Sequence, residues 1–521
     1  MTAPLLPPTL AELKPNTPLG QFLSAFVVSP DTLLALTKEF EATFRQLAAE
    51  SRNQFLPTPI PSALLAPISE LGKREEHATR HLAIDIGGTN LRVGFVELTP
   101  QDGTNAPGID VLLEQSCPIG EQLKSKNPSA LFDWIGETIA AVVKNACSEW
   151  GLDLNQPLPM GVTFSFPMEQ TSLSDASLMS MGKGFELDDG VDLASHLLRG
   201  YEKYRGGLPP VMIPAIANDS VSTLISFVYQ YSTAEDRKAA MGLIVGTGCN
   251  ATVPLPAATL GRKLDDVNLK FGSKADSLAT KVAVNTEWSI NGTAPPLRKF
   301  GLITKWDEEL NRNCEIPGFQ PLEYVTAGRY IGELGRLIFL DYLTTELGIA
   351  PDALPAALHE RYSMTTTFLS YFGPPSPRFL QKLESTFPSA AEASGFMWDE
   401  SHVEILYEIA QAIERRAASI LAAATIALLR ISGDIPGVSE VRNGSGDGQK
   451  VLGVGYTGGC IVNFQNYLYD YEKLIEQIIA GEFGKAAPVR VELMACHHGG
   501  ITGAGILAAA VGATQKNRVG Q

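Results

Sequence analysis

No uncharged apolar stretch in this 521-residue chain approaches the roughly 20 residues that a membrane-spanning helix needs. The longest candidate, Ala417 to Leu429, follows Arg415 and Arg416 and reads as a buried core helix. Cysteine is scarce: six residues, none in a CxxC pair, so neither a zinc-binding spacing nor a disulfide framework is present. Free thiols in a reducing, cytoplasmic compartment are expected. Met1 to Pro18 is proline-rich and lacks the basic-then-apolar pattern of a secretory signal. Positive charge is also short. The formal net charge of −16 excludes a general nucleic-acid binder, although local NH-rich pockets for a phosphorylated ligand stay open. Familiar nucleotide motifs are missing too. Gly484-Lys485 is followed by Ala486, which breaks a Walker A pattern. Gly503-Ala504-Gly505 matches a dinucleotide turn only loosely, with no room before Gln521 for the following βαβ unit. No protein-kinase motif set occurs. His497-His498 is an adjacent pair, poorly placed for shared metal ligation on a helix.

The length and ordinary globular composition allow two to four domains. Residues 1–80 read as a leader, with a helix over Asp31 to Asn53 and a proline-rich connector over 57–67. His81 to Asp85 and Leu91 to Leu98 read as a strand pair bent around Gly87-Gly88. Ala130 to Trp150 has helical spacing; Met160 to Phe166 and Met212 to Ala217 read as strands. The same grammar returns at Met241 to Val245, Gly246 to Asn250 and Ala251 to Pro254. Gly-Gly-Thr-Asn (87–90) and Gly-Thr-Gly-Cys-Asn (246–250) thus form a weak internal repeat, which suggests two similar α/β domains facing a cleft. The second half is more helical, with helices expected over Glu323 to Leu347, Ser401 to Leu429 and Gln465 to Ala480. Strands are expected over Val451 to Val454 and Val489 to Met494, and a loop over 433–450. The expected division is a leader and connector over 1–80, a small domain over 81–218, a large domain over 219–510 and a tail over 511–521.

A turn rich in glycine and threonine between buried strands can aim several backbone NH groups at one spot and make a nest for phosphate. A plain hairpin turn is the alternative for either turn alone, but two in matching contexts favour phosphate binding. Asp85, a carboxylate beside the first nest, would repel phosphate unless a cation lay between them, which points to Mg²⁺ held through water. Asn218-Asp219 stands at the carboxyl end of an apolar strand, where ligands bind in α/β folds. The pair would also serve as a helix cap ahead of Val221-Ser222-Thr223. Spacing alone leaves both roles open.

Seven segments, in order from about residue 20 to 510, resemble the hexokinase family. Leu82 to Val96 is similar to its first phosphate loop. Thr163 to Pro167 with Gln170-Thr171-Ser172, and Gly182-Lys183-Gly184-Phe185, are similar to its sugar-binding segments. Ala217 to Ser220 is similar to the segment bearing the catalytic aspartate, and Gly246 to Ala251 to the second phosphate loop. Asn285 to Trp288, then Pro317 to Gln320 with Glu323 and Tyr330 to Leu334, complete the series. The resemblance implies an actin-like ATPase (ribonuclease H-like) fold, with two α/β domains around a cleft, and MgATP-dependent phosphorylation of a sugar 6-hydroxyl. It implies Asp219 as the catalytic base. It places sugar on Ser165, Phe166, Gly182, Lys183, Asn218, Asp219, Asn250, Glu287, Gln320 and Glu323. It places ATP near Asp85, Gly87, Gly88, Thr89, Asn90, Gly246, Thr247, Gly248 and Thr457, with magnesium on the phosphates and no direct protein ligand beyond a water-mediated Asp85. The implied partners are a small sugar and MgATP, without nucleic acid or a membrane span.

Four departures stand out. The family's Trp-Thr-Lys-Gly-Phe is Met181-Gly182-Lys183-Gly184-Phe185 here, and the Gly after Trp288 is Ser289. The family's Val-Asp-Gly-Thr is Val454-Gly455-Tyr456-Thr457, and its Asp-Gly-Ser-Gly-Lys-Gly is His498-Gly499-Gly500-Ile501-Thr502-Gly503. The first two touch sugar choice. Met and Gly in place of Trp and Thr soften the wall beside Lys183, so N-acetylglucosamine is the expected acceptor, as in the divergent fungal branch of the family. Glucose or another hexose is the alternative. The last two touch nucleotide affinity and raise a weakly active sugar sensor as a rival. An actin-like structural ATPase, which would have no use for the sugar residues, is a further rival.

Overall fold

The computed structural model describes residues 16–61, 65, 78–99, 108–123, 128–179, 190–231, 236–265, 267, 280–389, 395–437, 449–484 and 487–519. Its first strands are β1 (Leu56–Pro61), β2 (Thr79–Ile86), β3 (Asn90–Thr99), β4 (Gly108–Pro118) and β5 (Leu158–Phe164). β6 (Met168–Glu169), β7 (Ser177–Leu178), β8 (Val211–Asn218), β9 (Arg237–Val245) and β10 (Cys249–Pro256) follow. β11 (Lys281–Asn285), β12 (Lys450–Thr457) and β13 (Val489–Ala495) complete the set.

One sheet has the order β4-β3-β2-β5-β8. Its β2–β3 and β3–β4 pairs are antiparallel, and its β2–β5 and β5–β8 pairs are parallel. The other has the order β1-β11-β10-β9-β12-β13. There β9–β10 and β10–β11 are antiparallel, while β9–β12 and β12–β13 are parallel. Apart from the edge strand β1, the two sheets repeat one order and one pattern of directions. This is the duplicated α/β architecture of the actin-like ATPase fold. The repeat at 87–90 and 246–250 is its trace in the sequence, since each turn joins the first two strands of a sheet, with Ile86 opposite Leu91 and Val245 opposite Cys249.

The helix expected after residue 30 spans Pro30–Glu50, and the Ser29 hydroxyl accepts from the Thr32 NH at 3.1 Å. It is no detached leader. Leu33, Leu36, Phe40 and Phe44 are buried in the core of the six-stranded domain. Phe44 lies 5.4 Å from Phe55 and 6.5 Å from Trp288, centroid to centroid. The single helix expected over 323–347 is instead two, Pro321–Thr326 and Gly328–Thr345. The break has a cause: the Gly328 NH donates to the Gly246 carbonyl at 2.8 Å, so the chain turns aside to brace the second glycine-rich turn. A Cβ at residue 328 would stand 2.8 Å from that oxygen.

Helices Asp219–Gln230 and Gly499–Val519 pack together between the sheets. The second lies so close on β5 that a Cβ at Gly161 would stand 1.9 Å from the Ala504 carbonyl oxygen. The Thr163 hydroxyl donates to the Gly500 carbonyl at 2.8 Å, and the Ser226 and Thr502 hydroxyls pair at 2.8 Å. The C-terminal helix therefore rests against the first sheet, whereas the division expected from chain order splits it between the large domain (219–510) and the tail (511–521). Among the described residues, no helix is long and apolar enough to cross a membrane.

Candidate active site

β8 delivers Asn218 and Asp219 to the floor of the cleft because the helix Asp219–Gln230 starts there. The pair starts the helix and also faces a cavity. The Asn218 side-chain oxygen accepts from the Ser220 NH at 3.0 Å and caps the helix, while Asp219 lines a cavity of about 170 Å³. That bond fixes the Asn218 amide, so its oxygen faces the helix. The other end, Nδ2, is buried and makes no hydrogen bond within the chain.

The cavity draws on both domains. Gly88, Ser165, Phe166 and Pro167 line it from the first, and Thr247, Gly248, Asn250, Glu287, Gln320 and Glu323 from the second. Seven of the described sugar-binding candidates beside Asp219 are therefore gathered here, while Gly182 and Lys183 lie outside the described residues. Sequence reasoning missed Asn285, which holds the arrangement together. The Asn250 amide donates to the Asn285 oxygen at 2.9 Å and to Glu287 Oε1 at 3.2 Å, and the Asn285 amide donates to Glu287 Oε1 at 2.9 Å. Its signal was the Asn285-Thr286-Glu287-Trp288 segment itself. Glu287 sits at φ 43°, a backbone region that non-glycine residues rarely occupy, and that aims its carboxylate at the amides. The Cys249 NH donates to Glu323 Oε2 at 2.9 Å. These carboxylates and amides, set around a small polar cavity, can hold a ligand rich in hydroxyl groups.

A second cavity, about 790 Å³, meets the first at Thr247. Gly246, Arg329, Thr365, Thr366, Ser370 and Asn463 line it. Its Thr-Thr-Thr-Phe-Leu-Ser segment (365–370) carried no motif that the sequence reading had used. Thr457 ends β12 beside this cavity without lining it; Gly459 and Cys460 do. Of the first turn, Gly88 alone among the described residues lines either cavity. Gly87, Thr89 and Asn90 shape the turn, through a bond from the Gly87 NH to the Asn90 carbonyl at 2.9 Å and one from the Asn90 amide to the Thr89 hydroxyl at 3.1 Å.

Asp85, at the end of β2, sits under the start of the helix Gly499–Val519, where a Cβ at Gly500 would stand 2.5 Å from its Oδ2. Burial and the Asp219 carboxylate push its pKa up to about 7, against the pull of Arg92. A carboxylate held this far above its ordinary value gains from a nearby cation, so the chemistry of the site fits a magnesium ion carried on phosphate. Among the described residues, no group of three or more His, Cys, Asp or Glu could hold a metal alone. The sign of the linkage follows. The folded value exceeds the unfolded one, so the contribution to stability is complete below the unfolded carboxylate value of about 3.9 and is lost as pH rises through 7. In the ligand-free protein, urea unfolding from pH 5 to 8 should show this loss, and Asp85→Asn should remove it. An unchanged pH dependence in the variant would contradict the assignment.

Two departures acquire physical causes. A Cβ at Gly455 would stand 2.4 Å from Phe227 Cγ and 2.9 Å from the Cys496 sulfur, so no carboxylate fits there. Thr502 is buried and spends its hydroxyl on the His498 carbonyl at 2.9 Å and on Ser226. All six cysteines are free, and burial raises the pKa of the Cys249, Cys460 and Cys496 thiols.

Two family models, both described as Hexokinase, match the chain over residues 18–229 and 240–510. The chain is 28% identical over 440 residues to Hexokinase-7 of Oryza sativa, covering 82% of this chain and 84% of that protein. It is 29% identical over 359 residues to Hexokinase of Emericella nidulans, covering 67% and 66%. With human Hexokinase-2 it shares 29% identity over 334 residues, which is 63% of this chain but 32% of that longer protein. A Schistosoma mansoni hexokinase solved with glucose superposes with a TM-score of 0.70 at 24% identity, covering 94% of this chain and 98% of that one. With the two models together covering most of its length, this chain belongs to the hexokinase family of sugar kinases.

Proposed function

We propose that the protein transfers the γ-phosphate of MgATP to the 6-hydroxyl of an aldohexose. The observation that carries this reading is the placing of Asp219 beside the buried Asn218 side chain in a polar cavity that opens, at Thr247, into a second and larger one. Asp219 accepts the hydroxyl proton as that oxygen attacks the γ-phosphorus and the bond to the leaving diphosphate breaks. Asn218, Asn250, Glu287, Gln320 and Glu323 hold the other hydroxyls, and Ser165 and Phe166 complete the wall from the first domain. Magnesium bound with ATP supplies neutralisation of phosphate charge, and Asp85 is the residue that would face it. The Gly87 and Gly246 NH groups close their own turns, which leaves Gly88, Thr247 and Gly248 to face phosphate oxygens, and Arg329, Thr365 and Ser370 border the space left for the nucleoside. Positioning and charge neutralisation contribute most of the rest in phosphoryl transfer.

A hexose, in the manner of a hexokinase or glucokinase, is the better-supported acceptor. Both the family models and the named relatives are hexokinases. The N-acetylglucosamine expectation rested on Met181 and Gly182, which lie outside the described residues. A coupled ADP assay with MgATP and a panel of sugars tests the reading: glucose should support turnover and yield the 6-phosphate, and failure of every hexose would refute it. The nucleotide carries a further expectation. With no carboxylate possible at Gly455 and Thr502 turned inward, contacts to base and ribose are few, so kcat/KM for ATP, GTP and ITP should differ by less than about 100-fold. A larger preference for ATP would show that other residues read the base.

A further inference from the structure

Part of the wall of the central cavity is a loop. Phe319 and Gln320 line the cavity from the connection between the helices Lys305–Asn313 and Pro321–Thr326. This loop turns on Gly318, at φ 79°, whose NH donates to the Asn311 side-chain oxygen at 2.6 Å. No helix or sheet ladder holds such a segment, so its backbone polar groups need other partners.

Tyr324, buried on the helix that follows, supplies them. Its hydroxyl donates to the Ile316 carbonyl at 2.9 Å and accepts from the Gln320 NH at 3.2 Å. The Cys314 thiol stands 3.2 Å from the same oxygen and 3.2 Å from the Asn311 carbonyl. A tyrosine hydroxyl both donates and accepts, and here both capacities turn to one loop. Burial pushes its pKa up, so the donated proton stays in place. The backbone adds a bond from the Tyr324 NH to the Gln320 carbonyl at 3.0 Å. Gln320 is therefore held at its NH and at its carbonyl, while its side chain makes no capping bond to the helix it precedes. The Tyr324 ring is itself fixed edge-on against Tyr330, with centroids 4.9 Å apart. We propose that Tyr324 is a positioning residue for the sugar, its hydroxyl setting the loop that presents Phe319 and Gln320 to the central cavity. The proposal rests on the sugar-kinase reading and adds to it a residue that does not line the cavity. The nucleotide side is braced separately, by the Gly328 and Arg329 NH groups on the Gly246 and Thr247 carbonyls at 2.8 and 3.1 Å.

Tyr324→Phe keeps the ring, its contact with Tyr330 and the backbone bond, and removes the hydroxyl. In the full chain with MgATP, the KM for glucose should rise by about tenfold or more, with kcat falling less than about threefold and the KM for ATP within about twofold. Calorimetric titration of glucose without nucleotide should show the same rise in Kd. Tyr330→Phe removes the other hydroxyl of the ring pair and should leave all three kinetic constants within about twofold. An unchanged KM for glucose in Tyr324→Phe would overturn the proposal. So would a matching rise in the KM for ATP, or an equal effect of Tyr330→Phe, since either would mark a general loosening of the domain. Absence of glucose phosphorylation by the parent chain would overturn the reading beneath the proposal, and the proposal with it.

Discussion

Replacing Asp219 with alanine should lower kcat for hexose phosphorylation by at least about 100-fold while sugar affinity changes little. The reasoning is local. Asp219 is the first residue of its helix, and the capping bond from the Ser220 NH is made by Asn218 as well, so the helix start survives the loss. The polar contacts that shape the cavity, from Asn250 and Asn285 to Glu287 and from the Cys249 NH to Glu323, do not pass through Asp219. The group able to take the hydroxyl proton is removed, together with its bond from the Ser220 NH and its repulsion of Asp85. Steady-state rates together with direct calorimetric titration of glucose separate the two effects. Turnover within a few-fold of the parent would mean that another group, or water, takes the proton.

The second large effect concerns stability. Arg416, wholly buried, forms a bidentate pair with Asp307 at 2.5 and 2.9 Å, donates to the Leu302 carbonyl at 3.1 Å and sits 4.4 Å from the Phe26 ring centroid. Asp307 also accepts from the Thr304 NH and hydroxyl, at 2.7 and 2.6 Å, in a capping box. Asp307→Ala should cost about 3–5 kcal/mol, because it strands a buried guanidinium and removes the helix cap together. Denaturant unfolding of the two proteins measures it. The double variant Asp307→Leu with Arg416→Met should recover much of the loss, since it leaves no unpaired charge. Equal loss in single and double variants would show that the cap, not the pair, carries the stability.

These two residues also mark where the sequence was legible. Asp219 could be found because the site is built from short local segments: a strand, its terminal polar residues and the helix that follows. Asp307 could not, because its partner is 109 positions away and neither residue type is expected in a core. The doubled sheet order was visible in the two glycine-rich turns. β4 went unseen, for its half-exposed residues give little alternation to read. The helix Leu193–Arg205 was missed for want of a distinctive motif, although Asp192 caps it. Asn285 and the segment 365–370 escaped because they act through tertiary placement, one under Asn250 and the other across a cavity from Gly246.

The docking of the helix Gly499–Val519 on β5 has a bearing on how the chain is made. The first sheet gains this wall from residues more than 280 positions after β8. Its inner face, with Ala83, Val96 and Ala217, has no C-terminal cover while the whole of the other domain is being synthesised. Loop closure over such a span adds only a slowly growing entropic cost, so the finished protein loses little stability by it. The nascent chain, however, carries an uncovered apolar surface while the second sheet is being synthesised, a state prone to aggregation. The helix Gly499–Val519 thus sets the moment at which the first sheet can finish folding.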